Sequence, residues 1–341
     1  MNEKKYLLLF ISVLFILSGC ANTTSNNGQA EPQTVAVQEI QLAGPISHRD
    51  AEISGLVWFG NYLILLPQYP DRFAGESDGK LFSIERNIIS EYVNHVDRTP
   101  ITPEEFEFFA PGLKDSIPGY EGFEAIGIWG NKIFLTIEAS PDSMRGYLIS
   151  GEINGAENII TMDMSSLAQI PLQQQIPNAS DETVLVTQDR VITIFEGNGM
   201  NINPSPIAHV FDHNLQLLEN IPFPHIEYRI TDATDLNGEN KFWAINYYYP
   251  GDKKTYKPNF PQSKDTKKLH NLKTNTPVEQ FIQLQYTGNS IELTELEPIE
   301  LQLLPSGDAR NWEGIVRLNE TGFLIATDKY PQTIFGFVEK P

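Results

Sequence analysis

Along the chain, short apolar runs alternate with polar turns, and no long stretch keeps its apolar residues at helical spacing. Five segments repeat one pattern: a polar residue, an apolar run, a turn, a second apolar run and a closing polar residue. They occupy residues 53–68, 123–138, 181–196, 231–247 and 312–328. Their turns are Gly60-Asn61, Gly130-Asn131, Gln188-Asp189, Gly238-Glu239-Asn240 and Asn319-Glu320-Thr321-Gly322. Paired apolar runs across such turns predict β-hairpins. The first three segments align without gaps, and the last two need one extra turn residue.

A second pair of strand-like runs follows most hairpins: 81–85 with 89–93, 146–152 with 158–162, 208–211 with 216–219, and 281–286 with 290–296. Four strands per unit, recurring along the chain, are the mark of a β-propeller. The fifth unit ends early, with 334–338 as its third strand. Residues 35–42 have no unit of their own and are expected to supply the missing strand and close the ring. The expectation is an all-β, five-bladed propeller in a single domain, residues 35–341. Unit starts are unevenly spaced, so a sixth blade in a longer interval is the alternative. Residues 104–109 read as a short helical turn, and 251–278 as a loop carrying several lysines.

Composition narrows the function classes. The 341 residues hold 24 Lys+Arg against 44 Asp+Glu, a formal net charge of −20. A hydrophobic share of 40% excludes a disordered chain. The acidic balance argues against nucleic acid as a partner, because phosphate backbones need clustered cations. The single cysteine stands near the start, after Lys4, Lys5 and an apolar run over residues 6–17, in Leu17-Ser18-Gly19-Cys20. A basic start followed by a short apolar core reads as an export signal, too short for a spanning helix.

Leu-Ser-Gly-Cys resembles the lipobox of bacterial lipoproteins. That resemblance implies loss of residues 1–19, acylation of Cys20 (palmitate among the chains) and a flexible tether over 20–34. More than one acyl chain gives stable membrane anchoring. Localisation would be the cell envelope, and Ala21 after the cysteine points to the outer membrane in a two-membrane cell. The alternative is a cleaved signal with an incidental cysteine.

Candidate chemistry sits where propeller geometry brings strand ends together. The residue opening the first strand of a blade lies beside the residue ending the second. The inner set is Ser54, Glu124, Glu182, Asp232 and Glu313, and the outer set is Gln68, Glu138, Glu196, Tyr247 (or neighbouring Asn246) and Asp328. Two carboxylates about 5 Å apart repel by roughly 3 kcal/mol at an effective dielectric of about 20. Such crowding calls for protons, basic partners or a cation. No Lys or Arg stands at these positions. An oxygen-only donor set suits calcium, which accepts about six to eight oxygen ligands in loose geometry. No cluster of His and Cys suggests zinc.

The units around Ser54, Glu124 and Glu182, together with Trp312-Glu313-Gly314-Ile315, resemble the calcium-activated nucleotidases (apyrases). Similar short motifs occur in phytase-like propellers. The apyrases are five-bladed propellers with a Ser/Glu/Glu/Ser/Glu ring around an axial calcium. The resemblance, over about a quarter of the chain, implies calcium ligation by Ser54, Glu124, Glu182 and Glu313, with Asp232 in place of the fourth Ser. Where the apyrases carry Asp-Asp-Arg at the nucleotide site, this chain has Pro67-Gln68-Tyr69-Pro70-Asp71-Arg72. That departure counts against nucleotides as substrate.

Loops expected at the same mouth bring Arg72, Arg145, Lys329, Arg310 and Arg229, which suit an anionic small molecule or surface polymer. Two functions stand side by side. One is a calcium-dependent hydrolase of phosphoester or related anionic substrates, with Glu138, Glu196 and Asp328 as catalytic candidates. The other is a non-catalytic, ligand- or protein-binding propeller with a structural calcium. A monomer is expected in either case.

Overall fold

In the computed structural model the described residues are 34–258 and 275–341. The signal and Cys20 lie outside them, as do all but Thr34 of the tether and the middle of the lysine-bearing loop. Among the described residues no helix is long and apolar enough to cross a membrane.

The strands β1 (Thr34–Val35) and β2 (Val37–Ile40) come first. A first run follows as β3 (Ile53–Phe59), β4 (Tyr62–Pro67), β5 (Gly79–Glu85) and β6 (Glu104–Phe109), with helix α1 (Arg86–Val93) between the last two. The second comprises β7 (Tyr120–Trp129), β8 (Lys132–Ala139), β9 (Arg145–Asn154), β10 (Ile159–Met162) and the short β11 (Ala168–Ile170), preceded by the one-turn α2 (Leu113–Ser116). The third is β12 (Asp181–Val186), β13 (Val191–Phe195), β14 (Ile207–Phe211) and β15 (Leu217–Pro222). In the fourth, β16 (Arg229–Ala233) and β17 (Lys241–Tyr248) lead through α3 (Lys253–Tyr256) to β18 (Val278–Tyr286), β19 (Ile291–Leu293) and β20 (Ile299–Leu301). The last is β21 (Trp312–Leu318), β22 (Gly322–Thr327) and β23 (Phe335–Glu339).

Within each run neighbouring strands pair antiparallel, in chain order except that β11 pairs with β9 and β20 with β18, and β10 joins β6 in parallel so that the first two runs share one sheet. Hairpin turns set the register: Gly60 and Gly130 adopt positive φ of 58° and 60°, and Asn240 and Asn319 take the same left-handed conformation at 57° and 53° in the last two turns.

Burial explains why the second strand of each hairpin is apolar almost throughout. Side chains alternate between two faces, and both faces are covered. In β4, Leu63 and Leu65 pack toward the fifth run, while Ile64 and Leu66 pack toward the second. In β17, Phe242 and Ala244 face the third run, and Trp243 and Ile245 the fifth. Apolar cores thus lie between runs one and two, two and three, three and four, four and five, and five and one. The first strands also neighbour one another in that cyclic order, β3 by β7, β7 by β12, β12 by β16, β16 by β21 and β21 by β3. This is the architecture of a propeller.

The N-terminal segment stitches this order together. Thr34 and Val35 pair with β20, residues 37–40 pair antiparallel with β23, and Leu42 bridges to Ile101. The strand expected to complete the fifth unit does so.

Two local expectations are corrected. Residues 89–93 are helical, because Ile89 and Tyr92, three apart, are buried on one face of α1 beside Val93. Residues 104–109 form a strand, because Phe106 and Phe108 point into the core while Glu105 and Glu107 face outward toward Lys80.

Candidate functional site

Every first strand breaks its ladder at the same place. Register shifts fall between Ile53 and Gly55, Phe123 and Ala125, Asp181 and Thr183, Ile230 and Ala233, and Trp312 and Gly314. A bulge of this kind leaves a residue unpaired and re-aims its side chain. The bulged residues are Ser54, Glu124, Glu182, the pair Thr231 and Asp232, and Glu313. All are buried.

The fourth place is filled differently from the expectation. Ser54 donates its hydroxyl to the Phe123 carbonyl at 2.8 Å, one residue before Glu124. Thr231 donates to the Trp312 carbonyl at 2.6 Å, one residue before Glu313. The two hydroxyls therefore play the same part, and Thr231 takes the position assigned to Asp232. The Asp232 carboxylate instead accepts the Ile315 N–H at 2.9 Å and a bond from the Ala233 amide, so it caps backbone.

The remaining acids converge electrostatically. Glu124 is held well above the usual carboxylate range by burial and then by the charges of Glu138, Glu182 and Glu313. Glu313 is raised by burial, Asp328 and Glu182. Burial and the Glu182 charge push Glu138 up to about 8. Glu182 rises to about 7 through burial, with Arg229 opposing and Asp328 adding to the rise. Asp328 is raised by burial, against hydrogen bonds from Tyr330 and Asn311. Gln68 donates to Glu124 Oε1 at 3.1 Å and Asn311 to Glu313 Oε1 at 2.6 Å.

One internal cation answers part of this charge. Arg229, at the start of β16, pairs through Nε with Glu196 Oε1, and its Nη2 lies 3.7 Å from Glu182 Oε1. Burial works against its charge, but Tyr256, Glu182 and Glu313 hold its pKa up. Glu196 Oε2 accepts the Tyr256 hydroxyl at 2.7 Å. Both oxygens of Glu196 are engaged, so its assignment as a base is revised: it is the anchor of Arg229. Glu138 differs, since its Oε2 is buried with no hydrogen-bond partner, as is Glu182 Oε2.

The basic candidates divide. Arg72 Nη1 lies 2.7 Å from Glu52 Oε1, Lys329 Nζ lies 3.7 Å from the same oxygen, and Arg72 stacks 4.1 Å above the Tyr69 ring. These two are brought together on one buried carboxylate. Arg310 is not at the mouth with them: it is buried, bonds Glu279 Oε2 at 2.7 Å, and shares that oxygen with Trp312 Nε1. Its charge is already matched out of solvent by Glu279. Arg145 pairs with Asp142 at 3.0 Å on the surface.

Arg229 was one cation among several in the sequence, and nothing local singled out Tyr256. Each meets Glu196 across a separation of 33 and 60 residues respectively.

As a test of fit for a hard cation, the donors are carboxylates and hydroxyls, and three buried carboxylate oxygens lack hydrogen-bond partners, Glu138 Oε2 and Glu182 Oε2 in the cluster and Glu52 Oε2 outside it. Among the described residues, no three of these side chains are gathered into a coordination-ready group. The chemistry fits, and the side chains would have to close in around an ion.

No family model matches the sequence, and no curated protein does. Among solved structures, the chain is similar to a GH43 protein from Bacillus licheniformis, with 8% identity, a TM-score of 0.49, and 88% of this chain and 55% of that one covered. It is also similar to a mannose phosphorylase from Leishmania mexicana, at 13% identity and TM-score 0.44 over 91% and 89%. A third is the soluble aldose sugar dehydrogenase from Escherichia coli, at 10% identity and TM-score 0.42 over 90% and 99%. Likeness this distant carries no argument about chemistry; the propeller rests on the chain's own sheets, and the acid cluster on its five bulges.

Proposed function

We propose that this chain is a five-bladed propeller, tethered to a membrane of the cell envelope through lipidated Cys20, whose acid cluster takes up calcium and hydrolyses a phosphoester or related anionic substrate. The count of five is supported by the cyclic order of the five interfaces. The observation carrying the functional reading is the pair of buried, unpartnered oxygens, Glu138 Oε2 and Glu182 Oε2. An unpaired buried carboxylate is costly unless it is protonated or meets a cation.

Glu124, Glu182 and Glu313 would hold the ion, with the Ser54 and Thr231 hydroxyls beside them. A bound divalent ion supplies Lewis-acid polarisation of a substrate oxygen. Glu138, whose Oε2 is buried with no hydrogen-bond partner, is the residue we assign as general acid–base; its pKa, raised to about 8 in the ion-free chain, would fall once a cation neutralises Glu182. Arg229 holds Glu196 in place. Arg72 and Lys329, sharing Glu52, are placed to receive an anionic group.

A second reading is a structural ion in a non-catalytic binding propeller, favoured by how deeply these carboxyls are buried. One experiment separates the two. The domain from residue 34 onward is melted in EDTA and in calcium, and assayed against phosphate esters and carboxyl esters under both conditions. Calcium-dependent turnover lost in Glu138→Gln supports the hydrolase. A calcium-raised melting temperature with no turnover supports the structural ion. No effect of calcium on either removes both.

A further inference from the structure

The carboxyls at the proposed centre are closed to water: Glu138, Glu182 and Glu196 are 3%, 5% and 0% exposed. A centre that admits an ion or a substrate needs a way in. One piece that touches it, at Glu196, is not part of the strand framework. After β17 the chain turns through Pro250–Asp252 and α3, which brings Tyr256 over the third run. Tyr256 is itself 5% exposed, and its hydroxyl donates to Glu196 Oε2 at 2.7 Å. Glu196 in turn holds Arg229, whose Nη2 lies 3.7 Å from Glu182 Oε1, so the ring sits one ion-pair link from Glu182.

Among the described residues, the side-chain ties of the strap are few. Beyond the phenol bond, Asn201 Nδ2 holds the Lys257 carbonyl at 2.8 Å, where the backbone is left-handed with φ 43°. Lys253 reaches Asn275 at 3.2 Å in an exposed contact. Helix α3 has four residues, too few to be stable unsupported. Segments with few ties open locally while the sheets stay folded.

We propose that Tyr256 is the gate of the acid cluster: seated on Glu196 it covers Glu138 and Glu182, and swinging out with residues 250–257 it uncovers them. This rests on reading the cluster as the functional centre, and its test uses neither calcium nor substrate, so either can fail without the other.

The domain is treated in EDTA at pH 6 with a water-soluble carbodiimide and excess amine, which converts accessible carboxyls to amides, and labelling is followed peptide by peptide. Tyr256→Ala is expected to label Glu138 and Glu182 about tenfold faster than the parent chain, with Glu279, a buried acid held by Arg310 and Trp312, unchanged. Tyr256→Phe keeps the ring and removes only the hydrogen bond, and Asn201→Ala loosens only the strap; each is expected to give about a threefold rise. Should Tyr256→Ala fail to fold, these two variants decide the matter. Rates at Glu138 within twofold of the parent in all folded variants overturn the gate. So does a rise at Glu279 in step with Glu138, since that is general loosening.

Discussion

Glu138 shows how one buried side chain sets a property of the entire fold. Its pKa is pushed up to about 8 from an ordinary 4.5, chiefly by burial. Between those values the folded chain keeps a proton that the unfolded chain releases, so stability falls as pH rises through that window. In EDTA the melting temperature should therefore decline from pH 5 to pH 8. Glu138→Gln should flatten that decline and melt higher than the parent at pH 8; parallel pH profiles for the two would refute the assignment. Glu182, raised to about 7, contributes to the slope that remains, as do Glu124, Asp232, Glu313 and Asp328, all raised by burial. At the same scale, polar residues at strand ends were legible in the sequence because the repeat marks them. The choice between Thr231 and Asp232 was not. Both are oxygen-bearing neighbours, and only the bulge register sends one to the Trp312 carbonyl and the other to the Ile315 amide.

Elements were readable where local periodicity and tertiary demand agree. The ten strands of the five hairpins agree because each turn and each apolar run is local. Residues 86–109 are the instructive failure. Ile88 and Ile89 look strand-like by type, yet it is the spacing of Ile89, Tyr92 and Val93 that fits the face of α1 against the core shared by the fifth and first runs. In residues 104–109 the alternation of Glu and Phe was present and decides for a strand. Phe106→Ala should cost about 3–5 kcal/mol by opening a cavity between the first two runs. Glu105→Ala, which breaks an exposed pair with Lys80, should change stability by about 1 kcal/mol or less. Chemical denaturation of the two variants checks the assignment, and similar costs would contradict it.

For the whole molecule, closure is the cooperative step. One N-terminal segment supplies partners to β20, to β23 and to Ile101, so three places on the ring depend on residues 34–42. Deleting residues 1–42 should abolish a single cooperative melting transition, whereas deleting 1–33 should leave it in place. Calorimetry on the two truncations tests this, and a cooperative transition retained by the shorter chain would show that the closing strand is dispensable. The repeated hairpins, the all-β class and the polar strand ends follow from the sequence alone, since each depends on residues within a turn or two of one another. The engagement of both Glu196 oxygens, by Arg229 and by Tyr256, exists only once distant runs are packed around a common centre. So does the burial that raises Glu138, because solvent exclusion is a property of the closed ring and not of any one strand.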